Sequence, residues 1–198
     1  MTFYNKAKWV LGILMVFVLV ITTNLIDRNN FLKVKDSVLA IYEDRLVAYD
    51  LIFEMSKSFQ EKEVATAISD SFFFSERNNQ VNIDIQESVL RFERTKLTVE
   101  EENLFNDFKN NLDSLNRSET SYIQSKFVQK APLFNQISKV KENLYDLSKI
   151  QLNEGGKQMT ISKRAIDTVE LFTQLEIYVL IFLAILIQII VIYKPKEK

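Results

Sequence analysis

Apolar residues are concentrated in two long runs near the ends of the chain, and a charged, periodic stretch separates them. The first run covers residues 9–26, between Lys8 and Asp27, and the second covers residues 174–193, with Glu176 as its one acidic residue. A helix rises about 1.5 Å per residue, so either run can cross the roughly 30 Å hydrocarbon core of a bilayer. We therefore expect two transmembrane helices.

A cleaved signal peptide is the alternative interpretation of the first run. Signal peptides carry a shorter apolar region that ends in a small-x-small cleavage site. The residues that follow here, "TTNLIDRNN" (22–30), contain no such site. We therefore interpret residues 9–26 as an uncleaved anchor.

Positive residues flank both runs on the side away from the middle of the chain. Lys6 and Lys8 precede the first run, and the lysines of "KPKEK" (194–198) follow the second. Positive residues favour the cytoplasmic face of a membrane. The expected protein is a two-pass membrane protein with a cytoplasmic N-terminus (1–8), an exported domain (27–173) and a cytoplasmic tail (194–198).

Apolar residues of the middle stretch recur at alternating steps of four and three, which predicts long amphipathic helices. The first helix has an inner line at Val34, Val38, Ile41, Arg45, Ala48, Ile52, Met55 and Phe59. A second line lies one residue further on, at Leu39, Tyr42, Leu46, Tyr49 and Phe53. Because residues 27–75 contain no Gly or Pro, we expect one helix from the first run to about Phe74, with a turn at "SERNNQ" (75–80).

Three further helices are predicted after that turn. A short helix covers about residues 83–96, and the capping box "TVEE" begins the next helix, with Thr98 as its cap and Glu101 reaching back. Pro132 suits the first turn of the fourth helix. That helix carries an apolar line at Leu133, Ile137, Val140, Leu144, Leu147, Ile161, Ala165 and Phe172. The expected fold is all-α, an up-down-up-down four-helix bundle between two transmembrane helices.

The composition excludes several classes of chemistry. The chain has no Cys and no His, which excludes disulfides, Ser-His-Asp or Cys-His catalysis and the usual zinc sites. A net charge of −1 gives no basic face for nucleic acid. No Gly-rich phosphate loop or metal-ligand spacing is present. We therefore expect a protein that is not an enzyme and that has no cofactor and no metal site.

Arg45 interrupts the inner line of the first helix, and a buried arginine requires a partner of opposite charge. Counted from the two membrane boundaries, Arg45 lies level with a polar interruption of the fourth helix formed by Gln151, Glu154 and Gln158. Glu154 is the expected carboxylate partner. Three interpretations remain open: a polar layer that fixes helix register, an arginine that extends along the surface, and a site for a ligand carboxylate.

Other polar or flexible positions are weaker candidates. The pair Gly155 and Gly156 lies beside the polar layer and is a candidate hinge or close helix approach. Asn24 and Gln188, one in each apolar run, are candidates for transmembrane packing by hydrogen bonds. Arg91 and Arg94 on the second helix are candidates for an anion site, against the alternative of a solvated helix face.

Two stretches resemble one known family. "SVLAIYEDRLVAYDLIFEMS" (37–56) resembles the first helix of the four-helix-bundle sensor domain of bacterial methyl-accepting chemotaxis receptors, which shows an "IYEDR" type of motif shortly after its first span. "KLTVEEENLFNDFKNNLDSL" (96–115) is similar to the "LT-x-EE" start of that family's third helix. With the two-span layout, the resemblance covers most of the chain.

The resemblance implies an extracytoplasmic helical bundle, usually dimeric, that senses a small molecule or a partner protein and passes a small helix displacement through the membrane. In chemotaxis receptors the second span leads into a HAMP linker and a methylated coiled coil that controls a kinase. The tail "KPKEK" is similar to the start of a HAMP linker, but the 198 residues hold no counterpart of the HAMP helices, the methylation sites or the kinase-binding hairpin.

The expected function is therefore that of a sensory module anchored in the bacterial inner membrane, with a periplasmic bundle and without its own output domain. It would act through contacts of its transmembrane helices, as a homodimer or with another receptor or sensor protein. The alternative is an accessory or scaffold membrane protein, whose bundle docks a partner and binds no small molecule.

Overall fold

The computed structural model describes the backbone of residues 3–192 and the side chains of residues 11, 12 and 14–185. Every regular element in this part of the chain is a helix, which confirms the all-α prediction. In chain order the elements are α1 (Phe3–Ala40), a first π segment (Ile41–Leu46), α2 (Val47–Ile68), a second π segment (Phe73–Arg77), α3 (Asn78–Glu93), α4 (Val99–Gln124) and α5 (Lys130–Ile192).

The chain divides into two compact units. The core unit is Leu39–Gln158, and the terminal unit combines Met1–Val38 with Met159–Lys198. Both α1 and α5 run from one unit into the other. Each unit is described below by itself.

The core unit has one hydrophobic core, to which α2, α3, α4 and the first part of α5 all contribute. Each helix supplies side chains spaced three or four positions apart, because residues at that spacing share one face of a helix. Aromatic rings form its centre, with ring centroids 6.2 Å apart for Phe59 and Phe108 and 4.8 Å apart for Phe92 and Phe105. Burying one such ring stabilises the fold by about 1.5–3 kcal/mol.

Side-chain pairs across the core fix the directions of the helices. Arg45 pairs with Glu101, and 17 residues later Lys62 pairs with Glu119. The separations along the chain, 56 and 57 residues, are nearly equal, so the helices that carry these residues run parallel and in constant register. The short turn between α2 and α3 makes those two helices antiparallel.

The turn after α2 lies earlier than the sequence predicts. The helix ends at Ile68, and Ser69 adopts a left-handed conformation with φ 52°. The Asp70 carboxylate then accepts hydrogen bonds of 3.0 Å from the backbone N–H groups of Phe72 and Phe73. A helix up to Phe74 and a turn at 75–80 were therefore wrong predictions, because the Ser-Asp pair supplies both a helix end and a cap.

The first π segment changes which residues of α1 are buried. Beyond the segment, the predicted inner line is confirmed at positions such as Ala48 and Phe59, both fully buried. Before it, Val34 is half-buried, but the line is wrong at Val38, which is 53% exposed while Ser37 is only 4% exposed. A π turn holds about one residue more than an α turn, so the buried line shifts by one position across the segment.

The fourth predicted helix shows a similar difference at its far end. The apolar line of α5 is buried as expected from Leu133 to Leu147. In the terminal unit, however, Ser162 is buried and Ile161 is 44% exposed. A polar residue thus replaces an apolar one on the inner side of this part of α5.

One helix within the described residues, Lys130–Ile185, contains an 18-residue window apolar enough to cross a membrane, with a mean hydropathy of 1.7. The first predicted span, 9–26, lies in α1, and the side chains of residues 9, 10 and 13 are outside the described part. The predicted tail, 194–198, also lies outside it.

Candidate functional site

Arg45 lies in the first π segment and points into the core unit. Its side chain is 11% exposed. The Nη1 atom donates to the Oε1 atom of Glu101 at 2.7 Å and to the Oε1 atom of Gln151 at 3.2 Å. The Nε atom is buried and has no hydrogen-bond partner. Arg45 thus links the first π segment to α4 and to α5.

Glu101 is the carboxylate that receives these bonds, and its side chain is fully buried. It belongs to the capping box that the sequence predicts, which the structure confirms. The Thr98 backbone N–H donates to its Oε2 atom at 2.6 Å, and its own backbone N–H donates to the Thr98 Oγ1 atom at 3.3 Å. The residue therefore caps α4 and binds Arg45 at the same time.

Gln151 completes what we call the first polar network, formed by Arg45, Thr98, Glu101 and Gln151. Its Nε2 atom donates to the Oε1 atom of Glu101 at 2.7 Å, and its Oε1 atom accepts from Arg45. Only 2% of Gln151 is exposed. The amide thus binds both charged groups and fixes the position of α5 at this level.

The first polar network satisfies a demand that burial creates. A buried charge is costly unless it is paired and hydrogen-bonded, and breaking one such pair leaves the other charge uncompensated. The three bonds to the Glu101 carboxylate meet this demand only while the three helices hold their positions. The arrangement is therefore suited to fixing helix register.

The expected pairing of Arg45 with Glu154 is wrong. Glu154 instead forms an ion pair with Lys157 on the same helix. The pKa of Lys157 is raised by its hydrogen bond to Glu154 and by the charge of that carboxylate. Gln158 is half-buried and does not take part in the first polar network. The prediction compared positions on the first and fourth predicted helices only. It missed Glu101 because that residue lies on the third, α4.

The Gly155 and Gly156 pair lies within α5, which continues through it as a regular helix. A Cβ atom added at either position meets no atom within 4 Å. The interpretation as a close helix approach is therefore wrong. The interpretation as a hinge stays a prediction.

The two predicted transmembrane packing residues have different outcomes. Asn24 is exposed in the terminal unit, while its neighbour Thr23 is buried. The side chain of Gln188 lies outside the described residues. Packing by these side chains between copies of the chain stays a prediction.

A second polar network, formed by Lys62, Asn78, Asn82 and Glu119, was missed by sequence reasoning. The Lys62 ammonium donates to the Glu119 carboxylate and, at 2.6 Å, to the Asn78 Oδ1 atom. The Nδ2 atom of Asn78 donates to Glu119 at 2.6 Å, and that of Asn82 at 3.4 Å. Lys62 is only 1% exposed, so this network lies inside the core.

A sequence signal for the second polar network does exist. One further step of three from Phe59 on the inner line reaches Lys62. On α4, Glu119 falls between the buried Leu115 and Tyr122 at helical spacing. Lys62 and Glu119 are therefore opposite charges at core positions of two helices. This pattern predicts that they pair.

Burial lowers the pKa of Lys62 below its ordinary value of 10.5, because the ammonium loses hydration in the core. The charge of Glu119 and its hydrogen bond act in the opposite direction and favour the ammonium. The Glu119 carboxylate thus stabilises the Lys62 ammonium, but it only partly offsets the hydration that the ammonium loses on burial.

Two open grooves lie on the surface of the core unit, and Arg91 borders both. One, of about 470 Å³, runs along Tyr42, Tyr49 and Phe53 and includes Asp50. The other, of about 300 Å³, is lined mainly by charged side chains of α2 and α3. Arg91 is exposed, in agreement with the solvated-face interpretation, and is available to a ligand anion.

The chain matches no protein-family model, no curated protein and no solved structure. Within the described residues, no group of three or more acidic side chains is placed to hold a metal ion. The functional interpretation therefore depends on the geometry of the chain itself.

Substituting Glu101 by Gln tests the first polar network. The amide keeps the size of the side chain but leaves the buried Arg45 without its counter-charge, so we expect a loss of about 3–5 kcal/mol in the free energy of unfolding. Glu154→Gln is the matched control and should cost much less, because Lys157 is exposed. Denaturant unfolding of the full chain in detergent gives both values. Equal losses would contradict the assigned role of Glu101.

The pH dependence of stability tests the second polar network. The unfolded chain binds the Lys62 proton with the ordinary pKa of 10.5, and the folded chain binds it only at lower pH. Between these values the unfolded state holds more protons, so the free energy of unfolding rises with pH. Relative to Lys62→Met/Glu119→Gln, the free energy of unfolding of the natural protein should rise as the pH approaches 10.5 from below. A constant or falling difference would contradict the lowered pKa.

Proposed function

We propose that the chain is a membrane-anchored sensory module, in which a helical bundle outside the cytoplasm is held between two transmembrane helices. It resembles the ligand-binding region of chemotaxis receptors, and its signal would pass through the anchoring helices. The bundle corresponds to the core unit, and the anchors correspond to the apolar ends of α1 and α5.

The first polar network carries this proposal. Arg45 and Gln151 are the last strongly buried members of the core unit before α1 and α5 leave it, and both bind the same Glu101 carboxylate. A displacement of α4 therefore acts on both of the helices that continue into apolar segments. This connection is what a sensor needs between a binding surface and its anchors.

An apolar stripe on the outside of the core unit supports a homodimer. The outer stripe consists of residues at steps of three and four that are each at least 42% exposed: Leu39, Tyr42, Leu46, Tyr49 and Phe53. This is the repeat by which helices pack in a coiled coil. Five large exposed side chains in one line are unusual for a face that stays in water.

A second copy of the chain is the partner that best fits the outer stripe. Copies anchored in one membrane share their orientation, so the stripes of two copies meet in parallel and in the same register. The same residues then face each other across a two-fold axis, as in most homodimers. Asp50 and Arg91 border the stripe with opposite charges, which suits a polar rim around an apolar contact.

A small-molecule ligand would bind in the grooves that Arg91 borders. A guanidinium beside aromatic rings and a carboxylate can hold an anionic or zwitterionic small molecule. The alternative function, a scaffold that docks another protein and binds no small molecule, is favoured by the exposure of the outer stripe. The two functions differ in whether a small ligand stabilises the protein.

Thermal unfolding of the full chain in detergent tests the sensory function. Among small carboxylates, amines and amino acids, we expect at least one to raise the unfolding temperature in a saturable way, because a ligand of the folded state stabilises it. Arg91→Ala should remove that shift, and Arg117→Ala is the control, at an exposed arginine of α4 that lines neither groove. A flat response to all three classes would contradict sensing of these compounds and favour the scaffold.

Cysteine cross-linking tests the homodimer, and the chain is well suited to it because it has no Cys of its own. Leu46→Cys should form a disulfide-linked dimer rapidly in membranes, since the outer stripes of two copies would place the thiols close together. Tyr145→Cys is the control, at an equally exposed aromatic position of α5 outside the stripe. Equal rates for both variants would exclude the outer stripe as the interface.

A further inference from the structure

An open cleft of about 650 Å³ runs between α1 and α5 inside the terminal unit. On α1 its walls extend from Gly12 to Ile26, and on α5 they extend from Phe172 to Leu183. The rise of α1 from Gly12 to Ile26 is about 21 Å, whereas one leaflet contributes about 15 Å to the hydrocarbon core of a bilayer. The cleft is therefore long enough to hold the acyl chain of one phospholipid.

The walls of the cleft are apolar except for two threonines of α1, and both hydroxyls are already hydrogen-bonded. The Thr22 hydroxyl donates to the backbone oxygen of Val18 at 2.8 Å, and the Thr23 hydroxyl donates to that of Val20 at 3.0 Å. Neither hydroxyl therefore needs a partner from outside α1. An apolar chain can fill the cleft without leaving a polar group unpaired.

Lysines mark one end of the cleft. Lys8 precedes the lining residue Gly12 by four residues, which is about one turn of α1, and Lys6 lies two residues further back. Residues 1–26 contain no acidic residue, so this end of α1 carries a net positive charge. Lysines just outside a membrane span attract anionic lipid headgroups.

The rest of the cleft carries no such excess of positive charge. Asp27 follows the lining residue Ile26, and the neighbouring Arg28 offsets its charge. On α5, the one charged residue within 172–183 is Glu176, which is acidic and half-buried. An anionic headgroup is therefore favoured at the lysine end of the cleft and not along its walls or at its other end.

A second copy of the chain suits this cleft less well than a lipid does. Helices in membranes associate mainly through small residues, which let their backbones approach closely. Apart from Gly12 and the two threonines, the lining residues are large, such as Met15, Phe172 and Phe182. A second copy in the same orientation would also bring its own lysines to the lysine end, whereas an anionic headgroup would neutralise those already there.

We propose that the cleft binds one anionic phospholipid, with an acyl chain between α1 and α5 and the headgroup at Lys6 and Lys8. Basic pockets between membrane spans bind anionic headgroups in this way. The proposal rests on the membrane anchoring that the proposed function includes. It adds a lipid ligand that neither the sensory function nor the scaffold requires.

The single tryptophan of the chain, Trp9, can report on this lipid because it lies on α1 three residues before Gly12. In vesicles that contain the full chain, a lipid brominated near the headgroup end of its acyl chains quenches the fluorescence of a nearby tryptophan. Brominated phosphatidylglycerol should quench Trp9 at a mole fraction at least about fivefold lower than brominated phosphatidylcholine, which is the effect of one lysine near a membrane surface. Equal quenching by the two lipids would overturn the proposal.

Gly12→Phe separates the cleft from the lipid layer that surrounds any membrane protein. A Cβ atom at Gly12 meets no atom within 4 Å, so the added ring can occupy the cleft without displacing either helix. This variant should lose the preference for phosphatidylglycerol. Ala184→Phe is the matched control, because it adds the same ring at an exposed position of α5 outside the cleft, and it should keep the preference. A preference that survives Gly12→Phe would overturn the cleft as the binding site.

Lys6→Gln/Lys8→Gln tests the headgroup site. The variant leaves the cleft intact but removes both charges, so phosphatidylglycerol should quench Trp9 no better than phosphatidylcholine. Lys33→Gln/Lys35→Gln removes the same charge elsewhere on α1 and should leave the preference unchanged. An unchanged preference in Lys6→Gln/Lys8→Gln would overturn the assigned headgroup site.

Two other results would identify a different occupant or a different protein. Rapid disulfide cross-linking of Gly12→Cys between copies would show a helix of a second copy in the cleft, and it would overturn the lipid assignment. No quenching of Trp9 by either lipid would mean that the chain is not anchored in the membrane, and it would overturn the proposed function as well. Equal quenching by both lipids overturns the lipid site alone, so the two failures are distinguishable.

Discussion

The fully buried carboxylate of Glu101 is the group on which the arrangement of the helices depends. It carries a charge into an apolar core, and the cost of that burial is met by three donors: the Thr98 backbone at the start of its own helix, the Arg45 guanidinium and the Gln151 amide. The donors from Arg45 and Gln151 reach it only if their helical segments have the right height and rotation. One desolvated charge thus makes the positions of the first π segment, α4 and the first part of α5 interdependent, which burial of apolar side chains alone does not do.

The second polar network repeats this arrangement 17 residues further along, where Lys62 and Glu119 join the same pair of parallel helices. Between the two networks the core is apolar, with aliphatic side chains packed around several phenylalanine rings, which stabilises the bundle without selecting one register. An ion pair at either end of that core excludes a slip, because a slip would leave charges buried without partners. The apolar core therefore supplies most of the stability, and the two networks supply the specificity.

For the proposed sensor, this division of roles has a direct consequence. A core unit whose register is fixed by buried ion pairs can pass a small displacement of one helix to its neighbours. The outer stripe and one groove beside Arg91 include Tyr42, which lies in the same π segment as Arg45, so a second copy or a ligand there would act on the segment that binds the Glu101 carboxylate. The proposed function follows from this connection.

The sequence by itself determined the helical class, the capping box at Thr98 and most of the apolar faces, because helical periodicity and capping are local properties of the chain. It also marked Arg45 and Gln151 as interior polar residues. Only the tertiary structure decided that Glu101, and not Glu154, neutralises Arg45, that Lys62 meets Glu119, and that Ser37 is buried in place of Val38. Those outcomes depend on which distant side chains can satisfy a buried charge and on where a helix takes up an extra residue. Both are set by packing across the core, which periodicity along one helix does not report.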